Sequence, residues 1–106
     1  MFNLTGKKYF VTGASRGLGA AIATTLAELG AQVAFTYSTN EAKAQEVLSS
    51  LKGSGHLMFQ MDVSNSESLE RVVYQVMKAF GDVDGVVNNA GITKDQLLLR
   101  MKIEPF

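Results

Sequence analysis

Three glycines, Gly13, Gly17 and Gly19, stand between an apolar run, Tyr9-Phe10-Val11, and an alanine-rich stretch with helical spacing. The connecting residues are Thr12-Gly13-Ala14-Ser15-Arg16-Gly17-Leu18-Gly19. A strand that passes through a glycine turn straight into a helix is a strong constraint on topology. Glycines let the backbone turn tightly and approach a ligand closely. The helix start adds unpaired N–H groups and a partial positive charge. That combination holds the pyrophosphate of a dinucleotide, although the spacing here differs from the usual dinucleotide fingerprint. A hydroxyl at Ser15 and a guanidinium at Arg16 are placed to reach phosphate oxygens. The plainer alternative for Arg16 is a solvated surface cation.

The rest of the chain alternates strand and helix. Tyr9 to Thr12 reads as the first strand. Leu18 to Leu29 reads as the first helix, with Ala21, Ile22, Leu26 and Leu29 on one face and Gly30 as its stop. Gln32 to Thr36 is a second strand, and Glu41 to Leu51 a second helix with Asn40 as N-cap. Lys52-Gly53-Ser54-Gly55 is a turn, and His56 to Met61 a third strand. Ser64-Asn65-Ser66-Glu67 has the form of a capping box before a third helix. That helix carries Leu69, Val72, Val73, Val76, Met77 and Phe80 at spacings of three and four, and Gly81 ends it. Gly85 to Asn88 is a fourth strand. Strand–helix–strand units in series imply parallel strands and right-handed crossovers. The expected class is α/β, the N-terminal β-α-β-α-β-α-β portion of a Rossmann-type doubly wound sheet, with strand order 3-2-1-4.

Composition narrows the function. The chain has 106 residues, enough for one domain with a modest core. Lys plus Arg and Asp plus Glu each total 10, so no basic field for nucleic acid or anionic lipid is expected. The absence of cysteine excludes a disulfide, a thiolate nucleophile and a thiolate metal site. No stretch approaches the length of a membrane span, and residues 1–8 lack the apolar run of a cleaved signal. A cytoplasmic location fits. The single His56 has no second histidine or cysteine beside it, so a surface or hydrogen-bond-satisfied role is favoured over a metal ligand or base. The methionines read as core filler.

The second strand points to which dinucleotide. Sites selective for NAD usually carry an acid after this strand, about 20 residues past the glycines, to hold the ribose hydroxyls. Here the residues are Thr36-Tyr37-Ser38-Thr39-Asn40, with no acid before Glu41. A carboxylate would repel a 2′-phosphate, whereas Ser38 and Arg16 would not. NADP(H) is the expected cofactor.

A second motif, Asn88-Asn89-Ala90-Gly91, directly follows the apolar Val86-Val87. With Thr12, Gly13, Gly17 and Gly19 and with Asp62-Val63, it resembles the short-chain dehydrogenase/reductase family over essentially the whole chain. The continuation Ile92-Thr93-Lys94-Asp95-Gln96-Leu97-Leu98-Leu99-Arg100-Met101-Lys102 is similar to the 3-oxoacyl-[acyl-carrier-protein] reductases within it. Reductases of acyl-CoA or sugar substrates share parts of that stretch. The resemblance implies that Asp62 hydrogen-bonds the adenine amino group and that Val63 packs against the base; on local chemistry alone Asp62 is also a turn or pre-cap residue. It implies that Asn89, Ala90 and Gly91 line the cofactor ribose. Asn88 is expected to be structural, its amide tying neighbouring strand ends, with Thr12 doing similar work.

Family chemistry is hydride transfer between a nicotinamide and a carbonyl, served by a serine, a tyrosine, a lysine and an asparagine that normally follow Asn-Asn-Ala-Gly. The 15 residues after Gly91 include Thr93 but no Ser, Tyr or Asn. A Tyr-x-x-x-Lys does occur at Tyr74 and Lys78, but on the flank of the third helix, where a surface pair is expected. No catalytic residue is therefore assigned in this chain. A fifth strand would normally cover the fourth; without it Leu97, Leu98, Leu99, Met101 and Phe106 have nothing to pack on. Residues 1–106 are thus expected to be the dinucleotide-binding part of an incomplete domain. The complete subunit would be an NADPH-dependent reductase of a 3-oxoacyl thioester and a tetramer. The alternatives are a non-catalytic NADP(H)-binding fragment and one half of a split subunit.

Overall fold

The computed structural model describes residues 3–15 and 17–91. Four strands alternate with three helices: β1 Lys8–Thr12, α1 Gly17–Glu28, β2 Gln32–Tyr37, α2 Glu41–Ser50, β3 Leu57–Gln60, α3 Ser66–Phe80 and β4 Gly85–Asn88. All pairings are parallel and the sheet order is β3-β2-β1-β4, as expected. No helix among the described residues is long and apolar enough to cross a membrane.

Both faces of the sheet are covered, which is why its strands are apolar almost throughout rather than alternating. Phe10, Ala34 and Met61 face α3 and its stripe Leu69, Val72, Val73, Val76 and Phe80. Their strand neighbours Val11, Val33 and Phe35 point the other way, into a second core with Ala23 and Ala27 of α1 and Ala44 of α2. The chain winds outward from β1 to β3 through α1 and α2, then returns through α3 to the far side of β1. At constant crossover hand, that reversal puts α3 on the opposite face. It also opens a crevice at the carboxyl ends of β1 and β4, where open α/β sheets bind ligands.

Two local expectations change. The buried line of α1 is Gly19, Ala23 and Ala27; Ile22 and Leu26 flank it, and Ala21 is exposed. Small residues, not the largest apolar ones, form the contact because α1 lies close against the sheet. The second change is the start of α3. Its N-cap is Asn65, whose Oδ1 accepts from Glu67 N at 2.8 Å and Ser68 N at 3.1 Å. Ser64 is not the cap, because its N–H and hydroxyl are both drawn back to Asp62 Oδ1, at 3.0 and 2.7 Å. The charged acceptor orients the serine hydroxyl toward itself, and the helix N–H groups go to Asn65 instead. Asn40 caps α2 as expected, accepting from Lys43 N at 3.0 Å.

His56 is a satisfied structural residue. Its Nδ1 accepts from Val33 N at 3.1 Å, so Nε2 carries the proton and donates to Lys52 O at 2.6 Å. The imidazole thus stands in for a ladder carbonyl just before β3 begins.

Replacing the cap tests the α3 assignment. Asn65→Ala should lower the unfolding free energy by about 1 kcal/mol, and Ser64→Ala by clearly less, in urea titrations of the full-length protein. The reverse ranking would restore Ser64 as the cap.

Candidate functional site

The carboxyl ends of β1, β2 and β4 meet around the glycine turn. Thr12 closes β1 and is fully buried. Its Oγ1 accepts from Asn89 N at 3.0 Å and Ala90 N at 3.1 Å, and donates to Asn88 Oδ1 at 3.1 Å. One hydroxyl thus ties the glycine turn to the Asn-Asn-Ala-Gly motif. From the same motif, Asn89 Nδ2 donates to Gly13 O at 2.9 Å. On the other side, Thr36 of β2 holds the turn. Its Oγ1 accepts from Gly13 N at 2.9 Å, and its carbonyl accepts from Ala14 N at 2.8 Å. Thr36 is the residue that reading the sequence overlooked. The available signal was a hydroxyl within the buried run Val33-Ala34-Phe35-Thr36, which needs an internal partner.

The glycines differ in what they do. A Cβ on Gly19 would run into Gly13 O and stand 2.8 Å from Asn89 Nδ2, so the close approach of α1 to the turn requires glycine there. Gly17 has a positive φ of 65°, and a Cβ there would meet nothing within 4 Å. The backbone of Gly17 thus adopts a left-handed conformation facing open space at the first turn of α1. That turn carries no acid, whereas α2 and α3 begin with Glu41 and Glu67 beneath asparagine caps. The first N–H groups of α1 have no intrahelical acceptor. Ser15 makes no hydrogen bond among the described residues. Leu18, beside it, is 68% exposed. Arg16 lies outside the described residues.

The outer wall of the crevice is formed by the ends of β2 and β3. Ser38 follows β2 and is exposed, and its carbonyl accepts from Gln60 Nε2 at 3.0 Å. Asp62 and Val63 follow β3. Hydrogen bonds from the Ser64 hydroxyl, and next from Ser64 N–H, hold the Asp62 carboxyl below its ordinary value. Those bonds favour the charged form, so their contribution is present at neutral pH and is lost as pH falls through the depressed value. Both go to Oδ1; Oδ2 has no partner among the described residues. Val63 is 48% exposed beside it. Ala90 and Gly91 end the described segment beyond β4, with the Ala90 backbone packed against Gly13. Thus Gly13, Ser15, Ser38, Asp62, Val63, Asn89, Ala90 and Gly91 fall in the turns that follow the carboxyl ends of the strands, and Gly17, Leu18 and Gly19 in the first turn of α1.

Tyr74 and Lys78 lie elsewhere. Tyr74 is 65% exposed on α3, with Lys78 Nζ 5.9 Å from its ring centroid. α3 runs back toward the amino ends of the strands, where Lys8 Nζ donates to Phe80 O at 2.8 Å. The pair therefore sits away from the crevice, as expected for a surface contact. No group of residues suited to hold a metal occurs among the described residues.

The family model for short chain dehydrogenase matches residues 7–106. The chain belongs to that family. It is 52% identical over 102 residues to the 3-oxoacyl-[acyl-carrier-protein] reductase FabG of Vibrio cholerae, covering 96% of this chain and 41% of the relative. To the protein of that name from Escherichia coli K12 it is 48% identical over 102 residues, with the same coverage. The chain therefore spans about two-fifths of the length of the curated relatives it matches. Among solved structures, a short chain dehydrogenase from Burkholderia cenocepacia in complex with NADP superimposes with a TM-score of 0.79 at 38% identity. That match covers 95% of this chain and 46% of the other. A Serratia marcescens short-chain dehydrogenase/reductase variant gives a TM-score of 0.79 at 42% identity, covering 85% of this chain and 38% of the other. Family members are oxidoreductases built on this Rossmann-type sheet, and the four-strand segment has that architecture.

Two measurements check the site's construction. Thr12→Val keeps shape but leaves the part-buried N–H groups of Asn89 and Ala90 without their acceptor, and should cost about 1–2 kcal/mol in urea unfolding. Thr12→Ser keeps the hydroxyl and should cost about 1 kcal/mol, the value of the lost methyl. Ser64→Ala removes the hydroxyl bond to Asp62, so the Asp62 carboxyl should titrate at higher pH by carbon-13 NMR.

Proposed function

We propose that this segment holds NADP(H) for a 3-oxoacyl-[acyl-carrier-protein] reductase, with residues 1–106 as the dinucleotide-binding part of a longer domain. The observation that carries the reading is the open Gly17 backbone at an acid-free helix start, tied by Thr12 to the Asn-Asn-Ala-Gly turn. The chemistry of the donor set fits the group. Backbone amides at Gly17, Leu18 and Gly19 would take the pyrophosphate, helped by the Ser15 hydroxyl and Arg16. The free Oδ2 of Asp62 would accept from the adenine amino group, and the exposed face of Val63 would cover the ring. Asn89, Ala90 and Gly91 would line the ribose next to the nicotinamide. In this arrangement Asn89 does two things, because its amide nitrogen is already committed to Gly13 O.

The preference for a 2′-phosphate rests on Ser38 and Arg16 and on the lack of any acid between β2 and Glu41. The Burkholderia relative solved with NADP supports the choice. When bound, the dinucleotide supplies hydride. This segment's residues hold the dinucleotide in register; none of them is assigned a proton transfer. The acyl-carrier-protein-linked carbonyl substrate is inferred from the reductases of Vibrio cholerae and Escherichia coli. A cytoplasmic homotetramer is the assembly that goes with this reading.

Two substitutions in the full-length protein test it. Gly17→Asp places bulk and a negative charge where the pyrophosphate binds. NADPH affinity should fall at least about a hundredfold, since like-charge juxtaposition costs several kcal/mol; unchanged affinity removes the loop assignment. Ser38→Asp should weaken NADPH about tenfold or more and NADH little, for the same reason. Equal effects on both would mean that the 2′-phosphate binds elsewhere.

A further inference from the structure

The turn that carries Ser38 and the turn that carries Asp62 follow the neighbouring strands β2 and β3. Both are fastened to a small polar cluster at the end of β3 that the cofactor reading leaves unused. Gln60, the last residue of β3, pairs with Tyr37 in the sheet and donates from Nε2 to Ser38 O at 3.0 Å. Its backbone carbonyl accepts from Arg71 Nη2 at 3.1 Å. Ser68, in the first turns of α3, accepts from Asp62 N at 2.9 Å through Oγ, with Arg71 Nη2 3.4 Å away. These side chains line an open polar cleft of about 510 Å³ together with Asn65 and Glu67.

The two turns therefore have separate fastenings. The amide of Gln60 is the one side-chain bond among the described residues that reaches the Ser38 turn. Past Tyr37 the β2–β3 pairing ends with Met61 N donating to Tyr37 O at 2.9 Å, so no ladder bond fixes residue 38. The hydroxyl of Ser68 instead fixes the backbone at Asp62. In the reading above the 2′-phosphate, which alone distinguishes NADPH from NADH, would meet Ser38 and Arg16; the adenine end is common to both.

We propose that Gln60, anchored by Arg71, is a positioning residue that sets the cofactor preference by holding the Ser38 turn, while Ser68 positions the adenine side without affecting preference. The inference rests on the NADP(H) reading above. In this proposal Gln60 is not a ligand of the dinucleotide. It acts by restricting Ser38 to the conformation in which its hydroxyl and amide meet the 2′-phosphate.

The test is direct titration of the full-length protein with NADPH and with NADH, followed by protein fluorescence, alongside a thermal melt. Gln60→Met keeps length and neutrality and removes the side-chain amide, whose Nε2 makes the bond to Ser38 O; the residue is exposed, so the fold should be retained, which the melt checks. NADPH affinity should fall about threefold to tenfold, the range for one net hydrogen bond, with NADH affinity unchanged. Ser68→Ala should lower both affinities by a common factor and leave their ratio as in the wild type. A Gln60→Met protein with wild-type NADPH/NADH ratio overturns the proposal, as does an equal loss for both cofactors. A wild-type protein with no preference for NADPH would overturn the cofactor reading and this inference with it. A wild-type preference that persists in Gln60→Met overturns this inference alone.

Discussion

The hydroxyl of Thr12 stands where the chain has to leave the sheet twice, once from β1 into the glycine turn and once from β4 into Asn-Asn-Ala-Gly. Both strands end at the same level because they are paired in register, with Thr12 opposite Asn88. The ladder stops there, and the next two amides of the β4 side, at Asn89 and Ala90, lose their sheet partners. Thr12 supplies the missing acceptor for both. A part-buried amide left without its acceptor costs on the order of 1 kcal/mol, so this oxygen helps hold the two turns together. Valine would fill the same space but offers no acceptor.

From that point the crevice assembles outward. Gly13 can press against Ala90 because neither carries a larger side chain, and Gly19 lets α1 begin directly behind the turn. Asn89 and Thr36 hold the two ends of the Gly13 peptide region from opposite sides, one at its carbonyl and the other at its N–H. The Gly13 end of the turn is therefore preorganised, held at its N–H and its carbonyl alike. Preorganisation matters because ordering a loop on binding subtracts from affinity. The outer wall is built differently, from exposed hydrogen bonds among Gln60, Ser68, Arg71 and Asp62. Its geometry rests on weaker, solvent-competing contacts.

Much of this was legible in the order of residues. Apolar runs of four to six residues between helical patterns gave the strand sequence, and glycine spacing with Asn88-Asn89-Ala90-Gly91 located the crevice. The lack of a second histidine or cysteine spoke against a metal role for His56, and its two hydrogen bonds in the structure decide between a surface and a satisfied residue. Two errors had a common origin: reading residue type without asking what competes for it. The large apolar residues of α1 looked like its buried face, yet contact at close range goes to Gly19, Ala23 and Ala27. Ser64 had the spacing of a cap, yet Asp62 two residues earlier captures it. Thr36 went unnoticed because threonine in a strand is ordinary; its partner, Gly13 N, is 23 residues away in sequence. Long-range pairings of that kind depend on register, which local pattern does not encode. Arg16, on which part of the 2′-phosphate expectation rests, lies outside the described residues, as do Thr93 and the leucines at 97–99.

The central claim is that one crevice, organised by Thr12, receives the dinucleotide. Backbone amide chemical shifts of the full-length protein, recorded by NMR while NADPH is added, test it most directly. The account predicts saturable shifts at Gly17, Leu18, Gly19, Val63, Asn89 and Ala90, with the outer surface of α2, such as Gln45 and Ser49, unmoved. Saturable shifts confined to α2, or none in the crevice at concentrations where NADPH is bound, would contradict it.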